Sequence, residues 1–176
     1  MPYAVTHVIL TIVIADMYRD YAVKKKFSTW FVVIAGIAGL LPDMDIPFGW
    51  IASAIMGKDV GFHRLYTHSF IWFIALFMIG AAVYYFAKKQ DYKIFSWMVQ
   101  KRDIVLFFMA VAFGWFMHVF LDCVVAADHN LSVFPMFPIN MCPAPFSPDM
   151  LAGLDAIILI VWLVHEQWRH EIKDYI

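Results

Sequence analysis

At 176 residues, 63% hydrophobic and only 15% charged, the chain departs from soluble domains, which run at roughly 45–50% apolar and about 25% charged. Its apolar residues are gathered into blocks of membrane-spanning length, which takes about 17–25 residues per helix. The net charge of −1 says little by itself. Two cysteines, Cys123 and Cys142, are too few for a disulfide scaffold and form no C-x-x-C pair.

Taken in order, the first apolar segment covers about residues 3–23 and ends among Arg19, Lys24, Lys25 and Lys26. Met1-Pro2-Tyr3-Ala4 has no basic stretch or clear cleavage signal, so this segment reads as a retained helix. The second, about residues 27–41, stops at Leu41-Pro42-Asp43, where proline and aspartate end a helix. A shorter apolar piece, 48–56, cannot span and reads as a re-entrant or interfacial helix. The third segment, 66–87, ends at Lys88-Lys89; a basic loop leads to the fourth, about 103–127. A proline-rich loop (Pro135, Pro138, Pro143, Pro145, Pro148) precedes the fifth, about 150–165. With no repeat or linker, the expectation is all-α: one integral-membrane domain over 1–176, a polytopic helical bundle of about five spans.

The basic residues orient that bundle. Arg19, Lys24, Lys25, Lys26, Lys88, Lys89, Lys93, Lys101, Arg102, Arg169 and Lys173 fall on one side, leaving only Lys58 and Arg64 of the thirteen on the other. The positive-inside rule places the larger group in the cytoplasm. The N-terminus and the motif-bearing connections then face outward, and the C-terminus is cytoplasmic.

The same alternation gathers a set of ionisable groups at the outer ends of the spans. His7 opens the first, Asp43 and Asp45 close the second, and His63, Arg64 and His68 open the third. His118 and Asp122 lie in the fourth, four residues apart and so on one helical face. Orientation came from lysines and arginines, the cluster from histidines and aspartates. Buried carboxylates are costly unless paired, and a divalent cation satisfies several at once. A nitrogen–oxygen ligand set without thiolate suits Zn foremost, with Mn, Fe or Ni also compatible. The set is large enough for one ion or two, which in a hydrolase would activate water and polarise the scissile bond. Arg64 then matches a phosphoryl or carboxyl oxygen. One of Asp43, Asp45 and Asp122 would manage protons, with Asp45 taken as the catalytic choice. Thr67 and Ser69 either cap the third helix or orient a histidine. Asp155, about one and a half turns into the fifth segment, could support a ligand histidine or serve a proton path.

These motifs carry a family resemblance. Thr6-His7, Leu41-Pro42-Asp43-Met44-Asp45, His63-Arg64-x-x-Thr67-His68-Ser69 and His118-x-x-Leu121-Asp122 follow one another as in the YdjM-like family of inner-membrane proteins, described as metal-dependent hydrolases. The resemblance runs from His7 to about Asp122 and implies a polytopic membrane fold and metal-dependent hydrolysis. It supplies no substrate.

Simpler readings stand beside these. His7 serves equally as an interfacial histidine, and Asp43 with Asp45 as a helix-ending turn. His63 and His68 could mark a polar helix start, and His118 with Asp122 an unused buried pair. His165-Glu166-Gln167-Trp168-Arg169-His170 evokes His-Glu-x-x-His, but its histidines sit five residues and about 140° apart around a helix. A solvated helix end accounts for it, and a surface role for Asp16. Cys123 and Cys142 both fall on the outer side, where a bridge is permitted.

The leading function is a membrane-embedded metal-dependent hydrolase acting on a phosphoester or other head-group bond of an amphiphilic substrate, with membrane lipids as surroundings. The alternatives are a metal or proton transporter using the same ligands, and a scaffold holding a structural metal. The inner halves of spans three and four are apolar, which favours a blind pit over a path. No Gly-rich phosphate loop, nucleophile elbow or nucleic-acid surface is visible.

Overall fold

The computed structural model describes residues 4–24, 26–59, 67–87, 91–94, 97–125, 132–134, 137–138 and 148–169. Helix α1 is Ala4–Met17 and runs on through a π-helical turn, Tyr18–Ala22. Then come α2 (Thr29–Ala38), a 3-10 turn (Leu41–Met44), α3 (Asp45–Met56), α4 (Phe70–Phe86), α5 (Lys101–Val125) and α6 (Pro148–Arg169). Two short antiparallel ladders join helices without forming a layer. They are β1 (Asp91–Ile94) with β2 (Trp97–Gln100), and β3 (Ser132–Phe134) with β4 (Phe137–Pro138). The architecture is helical; these ladders are its one departure from a wholly α expectation.

Local chemistry explains the boundaries. Ser28 and Ser69 have extended backbones, and their hydroxyls accept from Trp30 N at 3.3 Å and Ile71 N at 3.4 Å, capping α2 and α4. Gly57, at φ 64°, closes α3 in the left-handed conformation that glycine adopts freely. Pro42 starts the 3-10 turn, and the chain bends by 44° between α2 and the stretch Leu41–Met56. Among the described residues, α5 alone is long and apolar enough by itself to cross a membrane, over Lys101–Val124. The bent pair Thr29–Ala38 and Leu41–Met56 passes the same test jointly, and Phe70–Phe86 and Ala156–Trp168 are shorter apolar helices.

Burial is inverted relative to a water-soluble protein. Trp50, Ile55 and Phe86 are 71%, 79% and 87% exposed, while His7, Thr11, Asp16, His118 and Glu166 are 0–1% exposed. A lipid solvent favours this pattern, because it accepts apolar side chains and drives polar ones into the protein.

Small residues bring the central helices together, as in membrane bundles. Ala15, Val32, Ala35 and Ala110 form the core between α1, α2 and α5. At Gly114 the approach is closest: a Cβ there would collide with the Ala35 carbonyl oxygen and lie 2.7 Å from Ala38 Cβ. Gly114→Ala therefore forces α2 and α5 apart. We expect a loss of about 1–3 kcal/mol in reversible unfolding in mixed detergent micelles.

Two expectations are overturned. Asp16 is fully buried rather than superficial, and Glu166 is 1% exposed rather than on a solvated helix end, because α6 packs on α1 over both. Asp16 Oδ1 lies 3.7 Å from Arg19 Nη1, one turn along the same helix. Cys123 is disulfide-bonded; Cys142 lies outside the described residues.

Candidate metal centre

Four elements deliver side chains to one point. His7 comes from the first turn of α1, Asp43 from the 3-10 turn, His68 from just ahead of the α4 cap, and His118 with Asp122 from successive turns of α5. His7, His68 and His118 are 0–1% exposed and Asp122 is 2% exposed. Only Asp43, with 24% of its side chain exposed, reaches the surface.

The hydrogen bonds around the two central imidazoles fix their tautomers. His118 Nδ1 lies 2.6 Å from the Gly39 carbonyl oxygen, which can only accept, so Nδ1 carries a proton and donates. Thr67 Oγ1 donates its single proton to Asp45 Oδ2 at 2.6 Å. Its lone pair is then left to accept from His68 Nδ1–H at 3.0 Å. Neutral His68 and His118 both therefore turn a bare Nε2 lone pair inward.

Those two nitrogens face each other at 3.1 Å. Asp43 Oδ1 lies 3.2 Å from His68 Nε2 and 3.5 Å from His118 Nε2. Asp122 Oδ2 lies 3.5 and 3.6 Å from the same two atoms. Four acceptors thus converge with no proton of their own to share. Acceptors that face each other in a dry site repel, so a proton or a cation among them is stabilising. The donor set fits a divalent ion: two imidazole nitrogens and two carboxylate oxygens, each imidazole fixed by a hydrogen bond from its far nitrogen.

His7 adds a second edge. Its Nε2 lies 3.5 Å from Asp122 Oδ1, its ring stacks on His118 at 4.0 Å, and its Nδ1 has no hydrogen-bond partner among the described residues. Two overlapping ligand groups result, His7–His118–Asp122 and Asp43–His68–His118. His118 has one free lone pair and cannot serve both. Among the described residues, one ion finds a full set, and a second would have only His7 and Asp122 Oδ1.

Several sequence-predicted groups take different places. Asp45 is displaced from the inner ring; it anchors Thr67 and lies 3.7 Å from His68 Nδ1. Thr67 orients His68, whereas Ser69 caps α4. His63 and Arg64 lie outside the described residues, as does the side chain of Asp155 within α6. Two contributors carry no sequence signal: the Gly39 carbonyl, and Trp115, whose Nε1–H donates to the Thr67 carbonyl at 3.0 Å. Trp115 thereby fixes the backbone that presents His68. Thr67→Val removes the hydroxyl that aligns His68 while keeping its shape. Cation affinity, measured by competition with a fluorescent chelator, should fall by about 10–100-fold.

The model of the YdjM inner membrane protein family matches residues 1–173. No curated protein and no solved structure matches the chain.

Proposed function

Because the chain belongs to the YdjM family of inner membrane proteins, we propose that it is a membrane-embedded metal-dependent hydrolase. The observation that carries this reading is the ring of four acceptors, His68 Nε2, His118 Nε2, Asp43 Oδ1 and Asp122 Oδ2. A purely structural metal is saturated by protein ligands, whereas a catalytic one keeps an open position. The exposed flank at Asp43 provides that opening, and the other ligands are closed to solvent.

When bound, a divalent ion supplies Lewis acidity, acidifying water and polarising a scissile bond. Zn suits the nitrogen–oxygen set best, and Mn, Fe or Ni also fit. The remaining work belongs to the chain. His68, His118, Asp43 and Asp122 hold the ion, with His7 on its flank. Asp45 and Thr67 lock the His68 ring, and Asp45 is the carboxylate assigned to handle protons. Arg64 is assigned by its fork-shaped charge to an anionic substrate group.

In this proposal the helices form about five spans within a single domain over residues 1–176. The basic residues set the centre toward the outer face and the C-terminus in the cytoplasm. A site at that depth meets amphiphilic molecules, so the substrate class is a lipid-like compound with a phosphoester or other hydrolysable head-group bond.

The test uses the full chain in nanodiscs, loaded with Zn or Mn and offered phosphoester, ester and amide amphiphiles. Metal-dependent turnover of one class, abolished by a chelator and restored by the ion, is the expected result. Bound metal without hydrolysis of any class would reject the enzymatic reading.

A further inference from the structure

We propose that a groove between α1, α2 and α5, at the end of the bundle away from the metal centre, seats one acyl chain of an anionic phospholipid. The groove has a volume of about 300 Å³, within the range of about 300–1,000 Å³ usual for ligand pockets. Its floor is Ala15, Ala35 and Ala110, and its walls carry the partly buried rings of Phe27, Phe31 and Phe113. Such a lining offers water no hydrogen-bond partners, so a hydrocarbon chain is the filling it favours.

The dimensions match one leaflet. Arg102, Leu106, Ala110 and Phe113 fall at helical spacing on one face of α5, and the last three line the groove. From Arg102 to Phe113 is about 16–17 Å along the axis, close to half of the hydrocarbon thickness of about 30 Å. Beyond Phe113 the groove is shut, because α2 and α5 meet at Gly114, where a Cβ would lie 2.7 Å from Ala38 Cβ and 2.9 Å from Gly39 N. This contact parts the groove from His118. A chain seated here is therefore not the tail of a molecule held at the metal centre.

Charge identifies the head group. The other end of the groove lies among basic residues: Arg19, Lys24 and Lys26 ahead of α2, and Lys101 and Arg102 at the start of α5. Arg19 is engaged with Asp16, Asp20 and the Phe27 carbonyl, and Lys101 donates to the Ala87 carbonyl at 2.7 Å. Lys24, Lys26 and Arg102 are exposed. Lys26 directly precedes Phe27, and Arg102 continues the α5 face that lines the groove, so a phosphate there meets cations from two elements. Asp103 follows about 100° further round the helix, off this face. Tyr18, exposed at the rim, is the kind of amphipathic ring that settles at head-group level.

The experiment titrates the full-length protein, delipidated in a neutral maltoside detergent, with phosphatidylglycerol or phosphatidylcholine of matched tails. Native mass spectrometry counts the bound lipid. The wild type should take up one phosphatidylglycerol, preferred over phosphatidylcholine by at least about tenfold, since each basic residue near an anionic surface is worth about fivefold. Ile14, 40% exposed, lies on the lining, and Ile14→Trp should block the chain and abolish this first binding event with helicity unchanged by circular dichroism. Leu106→Trp should do the same from α5, which keeps the test decisive if one of the two variants fails to fold. The Lys24→Gln, Lys26→Gln, Arg102→Gln triple variant alters only exposed groups and should bind the two lipids equally. The proposal is overturned if the wild type takes up no lipid, as it would with detergent or another part of the chain in the groove, or if it binds both lipids equally. Wild-type binding by the folded tryptophan variants would overturn it too, as would an undiminished preference in the triple variant.

Discussion

His118→Ala should strip the metal centre of its ion and abolish turnover. His118 belongs to both ligand groups, and its Nε2 lies within 3.6 Å of His68, Asp43 and Asp122. Zinc sites with four ligands are worth about 10–16 kcal/mol, so one ligand accounts for roughly 3 kcal/mol, or about 10²–10³ in affinity. We expect occupancy of this centre to drop from near full to a small fraction, with hydrolysis falling at least as far. The variant also orphans the Gly39 carbonyl, which His118 satisfies at 2.6 Å; an orphaned buried acceptor costs about 1–3 kcal/mol. Elemental analysis after gel filtration, with helicity followed by circular dichroism, separates the two effects. A folded His118→Ala protein that retains its ion would sink the proposed ligand set.

Much of this centre was legible in the sequence because its cues are local. His118 and Asp122 stand four apart, so any helix places them on one face, and His118 Nε2 lies 3.6 Å from Asp122 Oδ2. Alternating spans predict that His7, Asp43 and His68 meet at one end of the bundle, and the structure brings all of them to the α5 pair. The division of Pro42-Asp43-Met44-Asp45 was not legible. Two aspartates separated by one residue look equivalent on paper. The boundary between the 3-10 turn and α3 falls between them, sending Asp43 to the imidazole nitrogens and Asp45 to Thr67. Gly39 acts through its backbone, which side-chain patterns cannot report. The burial of Asp16 and Glu166 was misjudged for a different reason. It depends on α6 packing against α1 across about 150 residues of chain, and charge placement along one helix carries no information about a partner so distant.

Asp43→Asn tests the ring of acceptors most sharply, because it should separate stability from metal binding. In the wild type, Asp43 Oδ1 faces His68 Nε2 at 3.2 Å and His118 Nε2 at 3.5 Å, so three acceptors meet. Asparagine occupies the same volume but presents an amide N–H₂, two donors where there were none. Turned toward the histidines, that amide can donate to one Nε2 lone pair and do internally what the ion does in the wild type. The buried negative charge falls by one as well. We therefore expect the metal-free variant to unfold at the same temperature as the metal-free wild type or higher. Its cation affinity should be weaker by about 10²-fold, the order expected for one lost ligand. The wild type should gain thermal stability on adding Zn, by RT ln(1 + [L]/Kd), and the variant should gain far less at the same concentration. Asp45→Asn is the contrasting case: it leaves the ring intact and weakens the Thr67 bond that aligns His68, so metal should be retained with a smaller loss of affinity. If Asp43→Asn bound Zn as tightly as the wild type, Asp43 would not be a ligand, and the proposed ring would lose its place as the metal centre.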